Sequence, residues 1–183
     1  MIKGVGIVVV VLVLLVLAAR VSARSKTSAS PAEAVAALRL MALEAPPSKL
    51  VAKPVGEEPW AVIMETGYGN AVASIVCLVD GSASLYLSSG GGVIGGGDHE
   101  AVGAVAKRLV GTAGRFVKML APTSTFPLPA DGHTRFYVRV REKVLTAEAT
   151  EKELGEGNHG LSPLFFAGQE VVTQLRLLSE SGK

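Results

Sequence analysis

The chain is expected to be an α+β protein: an N-terminal apolar helix, then a mostly antiparallel sheet of about five strands packed with helices, in the order α-β-β-β-α-β-β-α. Three observations predict this. Asp80-Gly81, the strongest hairpin signal in the chain, stands between two runs of strand character. Thr134 to Arg141 alternates Phe136, Val138 and Val140 with Arg135, Tyr137, Arg139 and Arg141, the period of an amphipathic strand. Residues 98–120 and 162–178 instead repeat their apolar positions at helical spacing.

The first element is Gly4 to Ala19, an uninterrupted stretch of 16 residues without a charge. As a helix it reaches roughly 24 Å, against about 30 Å of bilayer hydrocarbon, and Lys3 and Arg20 can snorkel to close the gap. Two readings compete. Lys3, the Val/Leu run and Val21-Ser22-Ala23 have the layout of a signal peptide cleaved near Ala23, which leads to an exported or periplasmic protein. The run exceeds the usual cleaved core and Arg20 intrudes before the cleavage site, which favours an uncleaved single-pass anchor. In that case Arg20, Arg24 and Lys26 outweigh Lys3 and the amino terminus, which favours a cytoplasmic domain.

Residues 1–23 are therefore expected to be signal peptide or anchor, 24–59 a tether with a short helix and a Pro-rich connection, and 60–180 one α+β domain. Ser30-Pro31-Ala32-Glu33 has the form of a capping box and opens a helix to about Glu44, which Pro46-Pro47 ends. Trp60 to Thr66, Ala71 to Val79 and Ser82 to Ser88 read as a three-stranded meander. Asp98 is placed to cap the long helix, and Gly103, Gly111 and Gly114 within it suggest close packing against the sheet. Val144 to Ala149 is the expected partner of the amphipathic strand, and Ser162-Pro163 opens the last helix, with Leu164, Val171, Leu175 and Leu178 on one stripe. This order of elements resembles the roadblock and longin platforms, which implies helices on the faces of a five-stranded antiparallel sheet. The resemblance is one of topology alone and brings no residue motif with it.

Charge and cysteine content exclude several functions. Four of the 18 basic residues lie in the first 26, where there is no acid; the other 14 face all 16 acidic residues, so the folded part is near −2. A nucleic-acid module holds its positive charge in the folded unit, so no nucleic-acid partner is expected. Cys77 is the single cysteine and sits in the apolar run 74–79, which rules out an internal disulfide and points to a small buried hydrophobe.

Four features bear on chemistry. Residues 90–97 hold six glycines in eight and satisfy G-x-G-x-x-G, so Gly90, Gly92, Gly95, Asp98 and His99 form the candidate ligand or phosphate site. The Gly-Lys-Ser/Thr ending of a P-loop is missing, and a glycine-dense connection explains the run equally well. His99, His133 and His159 lack paired spacing, so neither metal nor other cofactor is expected. Glu65, Asp80 and Asp131 fall where turns or strand ends are expected, and no G-x-S-x-G occurs. Arg135, Tyr137, Arg139 and Arg141 form a candidate basic surface for anionic lipid or an acidic partner, or else a solvated sheet face paired with acids of a neighbouring strand, for which Glu148, Glu151 and Glu153 are available. The expectation that follows is a membrane-associated or exported domain, leaning non-enzymatic, that binds a protein partner or its own kind. The alternative is a ligand-binding or hydrolytic domain built on the glycine loop and His99.

Overall fold

The computed structural model describes residues 29–52 and 56–181, so the apolar segment 4–19 lies outside the described residues. Among those described, no helix is long and apolar enough to cross a membrane. The fold is α+β, with one seven-stranded antiparallel sheet and five helices among the described residues.

Helix α1 (Pro31–Glu44) starts as its sequence indicates. Ser30 accepts from the Glu33 amide, and Glu33 in turn accepts from the Ser30 amide at 2.7 Å, closing the capping box. A one-turn helix α2 (Pro47–Leu50) follows. The meander is β1 (Pro59–Tyr68), β2 (Ala71–Leu78) and β3 (Ala83–Leu87), with Gly81 at φ 98° in the second hairpin. After the glycine loop come α3 (Glu100–Ala113), a 3-10 stretch (Gly114–Met119), and the hairpin of β6 (His133–Val140) and β7 (Lys143–Thr150). A short α4 (Glu151–Gly155) and the long α5 (Ser162–Ser181) close the chain.

The strand count of about five is corrected to seven by two edge strands, β4 (Gly92–Val93) and β5 (Ala121–Thr123). Both arise in segments whose Gly and Pro content reads as loop. They pair because each has one free neighbour: β4 lies on Leu85 and Tyr86 of β3, and β5 lies on Val144 to Thr146 of β7. Pro122 is tolerated because it sits on an edge. The spatial order is β4-β3-β2-β1-β6-β7-β5, which puts β1 at the centre between β2 and β6.

Both faces of this sheet are covered. On one, Val62, Met64, Ile75, Cys77, Phe136, Val138 and Leu145 pack with Val105 and Leu109 of α3 and Leu164, Val171 and Leu175 of α5. On the other, Ala61, Ile63, Val76, Leu78, Tyr86, Tyr137 and Val144 pack with Leu43 of α1, Leu50 of α2 and Val51. Residues 31–51 are thus part of the folded body, where the sequence places them in a connection ahead of it. Two smaller differences concern the long helix. Asp98 closes a 3-10 turn (Gly96–Asp98) and the N-cap position falls to His99, without a side-chain cap. Of its glycines, Gly103 approaches the Gly97 and Gly81 carbonyls and Gly114 lies near the Glu58 carboxylate and Pro59, while Gly111 meets nothing. The glycine pressed onto the sheet is Gly168 of α5, against Met64.

Candidate functional site

The register of β1 with β6 sets Ala61 opposite Arg139, Ile63 opposite Tyr137, and Glu65 opposite Arg135. Alternation sends all six toward the layer that α1 occupies. Glu65 and Arg139 are 0% and 2% exposed, so each needs a partner from the covering layer or pays the full cost of a buried charge.

Helix α1 supplies both. Arg39 grips Glu65 in a fork, Nε to Oε1 at 2.6 Å and a terminal nitrogen to Oε2 at 2.7 Å, and Ser74 donates its hydroxyl to Oε1 at 2.9 Å. The same Arg39 nitrogen reaches the Phe126 carbonyl at 2.9 Å, tying the 122–130 loop into the network. Burial pulls the Arg39 guanidinium down, but its hydrogen bonds and attraction to Glu65 outweigh this and leave it above its usual value.

Arg139 faces the other end of the helix. It donates to the carbonyls of Ala42 at 3.0 Å and Ala45 at 2.6 Å, groups that α1 cannot satisfy within itself. Its guanidinium lies 4.4 Å from the centroid of the Trp60 ring, and Trp60 donates Nε1 to the Arg141 carbonyl at 2.8 Å. Burial holds Arg139 below its usual value, opposed in part by the charge of Glu142. The negative end of the α1 dipole takes the place of a counter-ion. Tyr137 completes the face, donating to the Pro127 carbonyl at 2.7 Å with Phe126 edge-on at 5.7 Å.

Beside this polar seam the cover is incomplete. A cleft of about 80 Å³ opens between α1, α2 and the β2–β3 hairpin. Leu38, Met41, Leu50, Val76, Leu78 and Tyr86 line it, together with Lys49, Ser82 and Ser84. It is large enough for an apolar side chain or a few methylenes.

The residues singled out from sequence are distributed differently from expectation. In the glycine loop, backbone geometry accounts for each glycine. Gly90 has φ 100°, and a Cβ there would come within 2.6 Å of Pro31 at the start of α1. Gly92 has φ 142° and backs onto the Leu85 carbonyl, and Gly95 is left-handed at φ 76°. The loop runs back along β3, so Gly97 abuts Gly81 and His99 lies at that end of the sheet. His133 starts β6 next to the level of Gly67, at the opposite end. His133 Nδ1 lies 3.0 Å from the Asp131 carbonyl, and His159 Nδ1 accepts from the Leu161 amide. Among the described residues no three His, Cys, Asp or Glu gather to hold a metal ion. Burial pushes the Cys77 thiol up to about 12.

The four residues of the basic strand separate. Tyr137 and Arg139 are buried under α1 and offer no surface, because α1 covers the face that alternation alone assigns to solvent. Arg135 pairs with Glu148 on β7. Arg141, at φ 52° in the β6–β7 turn, pairs with Glu57. Glu65 is likewise no strand-end residue: β1 continues to Tyr68, and Glu65 is interior. Sequence reasoning missed Arg39, Ser74 and Trp60 altogether. The signal for the Arg39–Glu65 pair was a lone Arg in the apolar helix 34–43 and a lone Glu after the apolar run 60–64, while Ser74 and Trp60 carried none. No protein family model, no curated protein and no solved structure matches this chain.

Proposed function

We propose that this chain is a non-enzymatic interaction domain, tethered to a membrane by residues 4–19, which receives an apolar side chain of a protein partner in the cleft beside α1. The observation that carries the reading is the cleft: partly exposed Leu38 and Met41 of α1 frame a small opening over the apolar side chains of Val76, Leu78 and Tyr86. Arg39, Glu65 and Arg139 are committed to holding α1, and Cys77 is a protonated thiol inside the other core. The tether rests on the charge-free run Gly4 to Ala19 and its basic flank. Export after cleavage near Ala23 is the competing location, and the mass of the mature N-terminus separates the two.

The test places a photo-crosslinking residue at Ser84, which lines the cleft, in the full chain in the cells that make it. The expected result is one adduct of discrete protein mass, abolished by Met41→Arg, which introduces a charge into the cleft. Adducts with lipid alone, or none above the unilluminated background, would overturn the reading.

A further inference from the structure

Helix α1 does not carry the outer face of an ordinary surface helix. A helix laid on a sheet in water turns charged or polar groups outward. Between Glu33 and Glu44 the one charge of α1 is Arg39, and it is turned inward to Glu65. Outward stand Ala34, Ala36, Ala37 and Leu40, all exposed, so this face offers water neither a charge nor a hydrogen-bonding side chain. The uncharged surface continues beyond the helix. Pro31 lies against the glycine loop, where a Cβ on Gly90 would come within 2.6 Å of it. Residues 81–97 hold no charge, and Leu87 and Ile94 stand exposed on that edge of the sheet, Ile94 at 66%.

This surface lies where the chain enters the folded body. Residues 20–29 are all that separates the end of the apolar run, Ala19, from the N-cap Ser30. Whatever path they take, they span at most about 35 Å, and α1 itself is about 21 Å long. Helix α1 and the loop against its first turn are therefore the first part of the body that a tether through residues 4–19 presents to a bilayer.

We infer that the outer face of α1, with the glycine loop beside it, rests on the bilayer that holds residues 4–19 and so fixes how the body is oriented there. Lipid is the occupant because the tether ends at this face. Small apolar side chains without an aromatic anchor make a shallow contact, weak for a free protein and persistent for one already held within reach. Glu33 and Glu44 close the two ends of the face and repel anionic headgroups, so a zwitterionic surface fits it. The inference rests on the membrane tether proposed above and is independent of the cleft.

Spin labels on the full chain in phosphatidylcholine vesicles test this. Cys77 is 0% exposed, so a maleimide nitroxide attaches to an introduced cysteine alone. Single variants Ala36→Cys, Leu40→Cys and Ile94→Cys report on the proposed contact. Thr173→Cys, exposed on α5 across the sheet, is the reference in water, and Val10→Cys reports on the tether. Collision of each label with oxygen, which enters lipid, is compared with collision with a water-soluble nickel chelate. Labels at exposed positions leave the core untouched, and Trp60 emission confirms that each chain is folded. The expected result is a loss of nickel collisions with oxygen collisions retained at 36, 40 and 94, against full nickel access at 173. Nickel access at 36, 40 and 94 equal to that at 173, with position 10 in lipid, overturns the inference and leaves the tether standing. Position 10 in water overturns the tether and this inference with it. Labels at 36 and 40 shielded from both colliders lie under protein, a partner or a second copy, and overturn it as well.

Discussion

Replacing Arg39 by Met should cost more stability than any substitution on the outer surface, and the structure sets the amount. Met keeps most of the aliphatic stem, so the change removes charge and hydrogen bonds while leaving packing nearly intact. It leaves Glu65, which is 0% exposed, with Ser74 as its one remaining side-chain donor. Removing one partner of a buried pair costs about 3–5 kcal/mol, a large share of the about 5–15 kcal/mol that holds a domain of this size. Replacing both partners, Arg39→Met with Glu65→Leu, removes the charge that needed a partner and should recover most of that loss. Urea denaturation of the four chains of the cycle gives the coupling energy, and Trp60 is the reporter. It is the single tryptophan of the chain, is 1% exposed, and stacks on Arg139 beneath α1, so its emission responds when α1 leaves. Far-UV dichroism followed in parallel separates departure of α1 from global unfolding. A loss below about 1 kcal/mol for Arg39→Met, the range of an exposed pair, would refute the argument that the sheet needs this helix.

Arg139→Met removes the donors to the Ala42 and Ala45 carbonyls and should cost about 1.5–3 kcal/mol, read as a lower urea midpoint with an earlier Trp60 transition. Cys77 should make the fold sensitive to alkali. Its folded pKa is raised from 9.0 to about 12, so its contribution is intact below pH 9 and is lost as pH rises toward 12. Cys77→Ala should flatten the fall of urea midpoint with pH in that window, by up to about 1.4 kcal/mol per pH unit, and an unchanged slope would show the thiol is not buried. Gly92→Ala sets a Cβ against the Leu85 carbonyl at φ 142° and should lose about 1–3 kcal/mol in thermal or urea melts. Gly111→Ala, in α3 with nothing near its Cβ position, should gain about 1 kcal/mol by the same assay.

Much of the fold was legible because its signals are local. The capping box at Ser30 and Glu33, the turn at Gly81, and the pairing of Phe136 and Val138 on one face all follow from neighbours in sequence. The two edge strands were not legible, since Gly92–Val93 and Ala121–Thr123 are too short to show a period, hold Gly or Pro, and exist because a neighbouring strand offers free groups. The larger miss was the second covered face. Period two in 82–88 and 134–141 describes which residues point the same way, and assigning the polar set to water assumes that one face is bare. A contrary signal was present in the central strands. Ala61 to Met64 and Ile75 to Leu78 are apolar at every position, which requires cover on both sides, and Arg139 and Tyr137 lie in register with Ala61 and Ile63.

Pairing of buried charges is a different kind of information, because it is carried by two elements distant in the chain and set by neither alone. Arg39 in an otherwise apolar helix and Glu65 at the end of an apolar run each look like a defect when read in place. Taken together they are opposite charges on the two elements that must meet if both faces of β1 are covered, and the fork at 2.6 and 2.7 Å is the result. Arg139 has no such counterpart to search for, since its acceptors are the backbone carbonyls of Ala42 and Ala45 and every residue carries one. Only the place where α1 ends gives those two carbonyls meaning, and the Pro46-Pro47 stop sets that place. The helix terminus is therefore what selects the position of the charge on β6. A change that lengthened α1 past Ala45 would satisfy those carbonyls internally and strand Arg139 as surely as deleting the helix.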